Sequence, residues 1–120
     1  MSTLNKNLIT DPKLVMPYLK YLFYDKIPLV CEPHKMYLIG SRGRVPIENW
    51  DKLDGKDWDI LIETTHRVMD TYLWYSNYYL EIVCGDKALV DMMRGNNYRG
   101  SGLGIEIFPN TPELLKQFLT

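Results

Sequence analysis

Two spacings of apolar residues divide the chain. Over 35–39, 56–63, 78–84 and 105–108 the apolar residues run together or alternate with single polar ones, as buried or half-buried strands do. Over 12–23 the period changes. Leu14, Val15, Tyr18, Leu19, Leu22 and Phe23 recur every three or four positions and share one helical face. Asp11 and Pro12 supply that helix with an N-cap and a first-turn proline. Pro17 lies inside the pattern, so it either kinks the helix or marks its true first turn. The polar stretch 42–56 contains Pro46, Trp50 and Leu53 and predicts a short helix near 47–53. Thr64 or Thr65 is placed to cap a helix running to about Tyr75, with Val68, Met69, Tyr72 and Leu73 inward. A short helix over 87–94 and a glycine-rich loop over 95–104 follow. Thr111 as N-cap and Pro112 in the first turn predict a last helix with Leu114, Leu115, Phe118 and Leu119 on its apolar side.

Helices interleaved with strands predict an α/β (α+β) fold, a small mixed β-sheet flanked by helices. Residues 1–10 read as a flexible leader and 11–120 as a single domain. The chain contains no repeat or low-complexity tract. A hydrophobic fraction of 46% suits one core and argues against disorder. The net charge of -1 argues against a large electrostatic grip on nucleic acid. Cys31 and Cys84 have no partner at metal-ligand spacing and read as buried free thiols. His34 and His66 likewise lack ligand spacing, which disfavours zinc. With no long apolar run, the expectation is a cytoplasmic protein with no membrane contact.

The chemistry concentrates where the strands meet polar residues. The first strand ends in Gly40-Ser41, followed by Arg42 and Arg44. Glycine allows close backbone approach to a ligand, and a serine hydroxyl with nearby N–H groups can hold phosphate oxygens. Arginine suits bidentate phosphate contact, although both arginines read equally well as solvated surface charges. The second strand opens with Asp57-Trp58-Asp59. Strand alternation puts the two carboxylates on one face, about 7 Å apart, with Trp58 opposite. Such a pair repels itself unless a hard cation such as Mg²⁺ sits with it. Glu106, in Gly-Ile-Glu-Ile-Phe, and Glu81, in Tyr-Leu-Glu-Ile-Val, are each a lone charge in an apolar strand.

The order Leu38-Ile39-Gly40-Ser41, then Asp57-Trp58-Asp59, then a later strand carboxylate resembles the signature of the polymerase-β-like nucleotidyltransferase superfamily over the central two thirds of the chain. The resemblance implies a nucleotidyltransferase-like fold and transfer of a nucleoside monophosphate from an NTP to an acceptor hydroxyl, with release of pyrophosphate. It implies Mg²⁺ (or Mn²⁺) on Asp57, Asp59 and a third carboxylate, and triphosphate contacts from Gly40, Ser41, Arg42 and Arg44. Glu106 is preferred as the third carboxylate because it follows the glycine-rich loop. In the most compact members the next strand carries that group, which favours Glu81. The acceptor is open: an RNA 3′ end, a protein or a small molecule. Members usually carry a further domain, so a homodimer or a partner chain is expected to complete the site. A catalytically inert nucleotide-binding or regulatory protein of the same fold is the second reading. The third is an unrelated α/β interaction module using Tyr72, Trp74, Tyr75, Tyr78 and Tyr79, which more simply belong to a core.

Overall fold

The computed structural model describes residues 10–53, 56–65, 80–95 and 103–119, and the backbone of 72–76. Helix α1 (Pro12–Tyr21) begins as expected, with the Asp11 carboxylate accepting from the Lys13 N–H at 3.0 Å. It runs through Pro17, widens into a π turn (Leu22–Lys26) and then tightens into a 3-10 turn (Ile27–Leu29). Then come β1 (Pro33–Ile39), the short helix α2 (Gly40–Arg44), a 3-10 segment (Ile47–Leu53), β2 (Trp58–Thr64), β3 (Tyr72–Ser76) and β4 (Leu80–Gly85). Helix α3 (Lys87–Gly95), β5 (Ile105–Phe108) and α4 (Glu113–Lys116) complete the described chain.

The five strands form one mixed sheet in the order β3-β4-β2-β1-β5. Strand β2 is parallel to β4, and the other pairings are antiparallel. Strand alternation then sorts side chains onto two faces. Met36 and Leu38, Trp58, Ile60 and Ile62, Ile82 and Cys84, and Ile107 point into the main core, where α1 contributes Val15, Met16 and Leu19 and α4 contributes Leu115. Tyr37, Ile39, Leu61 and Val83 occupy the opposite face with Val90 of α3. The fold is thus α+β, a mixed sheet with helices on both faces.

Three expectations are corrected. The helix placed from Thr64 or Thr65 to Tyr75 is overturned at its ends. Residues through Thr64 belong to β2 and 72–76 to β3, while 66–71, with Val68 and Met69, lie outside the described residues. Cross-strand pairing overrides the helical spacing there. The strand expected over 78–84 is β4, described over Leu80–Gly85, and 77–79 lie outside the described residues. Thr111 does not cap the last helix. Pro112 holds that position, and the Thr111 hydroxyl donates to the Ile107 carbonyl at 2.6 Å. Leu14 and Leu114, placed on the apolar faces of the first and last helices, are 46% and 49% exposed. Of the leader over 1–10 only Thr10 is described, and it is buried; 1–9 and most of the glycine-rich loop, 96–102, also lie outside the described residues. Among those described, no helix is long and apolar enough to cross a membrane.

Burial holds the Cys84 thiol neutral, its pKa pushed up to about 12 from 9.0 mainly by desolvation. A raised acid pKa favours folding while the thiol stays protonated, so this contribution is complete below about pH 9 and is lost as pH rises toward 12. Urea unfolding at pH 8, 9.5 and 11 should show stability falling by up to ~1.4 kcal/mol per pH unit from this group. Cys84→Ala should flatten that part of the profile. An unchanged slope in the variant would assign the effect elsewhere.

Candidate functional site

Register determines which candidate residues meet. Asp59 pairs with Ile39 on one side and with Glu81 on the other. Directly opposed strand residues share a face, with Cβ atoms about 5 Å apart. The two carboxylates therefore stand side by side at one end of the sheet, where β1 ends and β2 and β4 begin, and both are half-buried. Asp57 is exposed just before β2. With the Trp58 indole buried in the main core, Asp57 falls on the Asp59 side, as alternation predicts.

Gly40 closes this end against Asp59. Its φ is 73°, a left-handed conformation that side chains disfavour. A Cβ added there would lie 2.3 Å from Asp59 Oδ2. The Asp59 carboxylate thus rests on the bare Cα of Gly40, and Ser41 follows at the first turn of α2. Sequence reading left the region after Gly40 as a polar connection, yet α2 opens at Gly40 itself.

Glu106 does not join the pair. It lies opposite Tyr37, on the far side of β1 from β2. Ladder spacings place its Cα about 12 Å from that of Asp59. Its Oε2 accepts a 2.8 Å hydrogen bond from Asn110 Nδ2. The strand carboxylate beside Asp59 is Glu81, because β4 and not β5 is the neighbour of β2.

Arg42 also departs from expectation. Its guanidinium is buried in the main core at 1% exposure. Nη2 lies 3.2 Å from the Thr10 carbonyl oxygen and 3.1 Å from those of Leu53 and Lys56. The cation sits 4.6 Å from the Trp58 ring centroid and 5.7 Å from that of Trp50. Trp58 Nε1 donates to the same Thr10 carbonyl at 3.0 Å, and the two indoles meet edge to face. These contacts commit Arg42 to joining the start of α1, the 3-10 segment and β2, rather than to a triphosphate. Arg44 remains exposed at the end of α2.

One basic group went unnoticed in the sequence. Arg94, in the last turn of α3, lies over the Tyr37 ring at 3.8 Å from its centroid. No local motif marks it, since it approaches β1 only through the return of α3 across the sheet. A second polar cluster, at the opposite end of the sheet, links His34 Nε2 to Thr65 Oγ1 at 2.6 Å and His34 Nδ1 to Glu63 at 3.6 Å. It ties the start of β1 to the end of β2.

Among the described residues, no group of three His, Cys, Asp or Glu side chains converges as a ready ligand set. The donors at the Asp59 end are carboxylate oxygens, the chemistry Mg²⁺ prefers. That ion is commonly held by one or two carboxylates, with substrate phosphates and water filling its octahedron. Asp59 and Glu81 fit this mode. A comparison with protein-family models, with curated proteins and with solved structures returned no match for this chain.

Proposed function

We propose that this protein binds a nucleoside triphosphate with Mg²⁺ (or Mn²⁺) at the Gly40, Ser41, Asp59 and Glu81 end of the sheet. There it transfers the nucleoside monophosphate to an acceptor hydroxyl, and pyrophosphate leaves. The observation that supports this reading is the register of Asp59 against Glu81, with the Asp59 carboxylate seated on the Cα of Gly40.

Each residue has a distinct task. Asp59 and Glu81 present oxygen donors from two adjacent strands, so their separation is set by the ladder rather than by flexible loops. Asp57, exposed at the strand mouth, can add a third donor once substrate is present. Gly40 keeps the backbone low enough for a phosphate chain to approach. The Ser41 hydroxyl donates to a phosphate oxygen, and Arg44 offers charge from the rim. The bound ion would neutralise charge on the phosphates as the leaving group departs. The acceptor proton passes to a carboxylate of the same pair, within reach of an aligned hydroxyl. RNA 3′ ends, protein hydroxyls and small molecules are all compatible acceptors. A second copy or a partner chain is proposed to supply what this small sheet leaves open.

The inert, nucleotide-binding reading has one observation in its favour, the lack of a converged three-carboxylate group among the described residues. Calorimetric titration with ATP, GTP, CTP and UTP plus Mg²⁺ tests the binding shared by both readings. At least one NTP should bind, binding should vanish with EDTA, and Asp59→Asn should weaken it by more than about tenfold. That factor is the loss of one charge-assisted contact. Undiminished binding by folded D59N would remove the site from this end of the sheet.

A further inference from the structure

We infer that Arg94 is the residue that grips the phosphate chain of the bound nucleotide, a positioning role that the position of Arg42 suggested and its burial excludes. The inference rests on the site proposed above.

Three contacts locate the Arg94 guanidinium. It stacks on Tyr37, whose neighbours across the ladder are Leu61 on one side and Glu106 on the other. Asp59 lies two residues before Leu61, so Tyr37 and Asp59 are diagonal neighbours on one face, about 7–8 Å apart. Arg94 Nε donates to the Leu103 carbonyl at 2.7 Å. The next residue, Gly104, leans on the end of β1: a Cβ there would lie 2.4 Å from the Leu38 carbonyl oxygen and 2.9 Å from Ile39 Cγ2. Ile39 is the residue opposite Asp59. The cation is therefore carried to the same end of the sheet as the Asp59 and Glu81 pair, on the same face.

Among the described residues, hydrogen bonding engages one edge of this guanidinium. Nε is satisfied by Leu103, which orients the plane. Among the described residues the only hydrogen bond of Arg94 is through Nε, and two parallel N–H bonds from a guanidinium match a phosphate. Tyr37 is buried and holds the plane from beneath, so little side-chain freedom is lost when an anion binds. On the same face as the carboxylate pair, Arg94 would meet the β- or γ-phosphate while the α-phosphate lies at Asp59. It would then act as an anchor for the leaving pyrophosphate.

The test compares ligands that differ only in phosphate number. Wild type, Arg94→Gln and Arg94→Lys are titrated with the NTP that binds wild type, its NMP and its nucleoside, each with Mg²⁺. R94Q should weaken NTP binding by ~10–100-fold, the equivalent of one charge-assisted bidentate contact, and leave nucleoside binding within twofold. R94K should recover part of the NTP affinity through its charge alone. Were R94Q unable to fold, the R94K comparison of NTP with nucleoside would decide. A folded variant that loses affinity for NTP and nucleoside equally would show Arg94 to be only structural, and unchanged NTP binding would likewise overturn the inference. Failure of wild type to bind any NTP overturns the nucleotide site itself, which separates the two failures.

Discussion

Replacing Arg42 by methionine should lower stability by about 3 kcal/mol, a large part of the margin of a small domain. The guanidinium lies within hydrogen-bond distance of the Thr10, Leu53 and Lys56 carbonyls and between two indoles. Methionine fills similar volume but donates nothing. Each buried carbonyl left without a donor costs ~1–3 kcal/mol, and each desolvated cation–π contact contributes up to ~2 kcal/mol. Relief of the desolvation penalty of a buried cation offsets several kcal/mol of that sum. Thr10 keeps the Trp58 indole N–H as a donor and Leu53 keeps the Lys56 N–H, which limits the loss further. Urea unfolding should show a lower midpoint with an unchanged m value. Arg42→Lys should fall nearly as far, because an ammonium lacks the planar fork that fits between the rings. A loss below about 1 kcal/mol would end the structural assignment. Loss of NTP binding in a fully stable R42M would return Arg42 to the phosphate site.

Arg42 also shows where sequence reading stops. Arg42 and Arg44 stand two positions apart after the same Gly-Ser and look alike as letters. One is buried among Trp50, Trp58 and three carbonyls from distant segments, and the other is at the rim. Only the packing of the α1 start, the 3-10 segment and β2 around one point separates them. The strands around Leu38, Ile60, Ile82 and Ile107 were legible because each run is apolar in its own sequence and needs no distant partner to be read. The Asp11 cap was legible for the same reason, since the carboxylate reaches an N–H two residues away. The stretch ending at Tyr75 was misread because Tyr72 and Leu73 fit a helical stripe as well as a strand, and pairing with β4 decides.

The choice between Glu81 and Glu106 is the same problem at the site. Leu-Glu-Ile-Val and Ile-Glu-Ile-Phe have one form, a single charge in an apolar strand. The preference for Glu106 came from its neighbouring glycine-rich loop, a local cue. Sheet order is not local: β4 lies against β2, and β5 lies against the opposite edge of β1. This order gives Glu81 the place beside Asp59.

The largest functional effect should follow from that placement. A carboxylate that supports both the ion and the acceptor proton contributes several kcal/mol to the transition state, which corresponds to roughly 10³-fold or more in rate. Nearly all of that should be lost when Glu81 becomes glutamine, because the amide is neutral and cannot accept the proton. Glu106, bonded to Asn110 on the far side of β1, carries none of it.

The deciding measurement is release of pyrophosphate, with label transferred from α-³²P NTPs to an acceptor in cell extract, by wild type, E81Q and E106Q in Mg²⁺. A Mg²⁺-dependent wild-type activity, reduced at least 10³-fold in folded E81Q and within about threefold of wild type in E106Q, is the predicted result. Activity that survives in E81Q and disappears in E106Q would contradict the site described here, and activity retained by both would remove Glu81 from the chemistry.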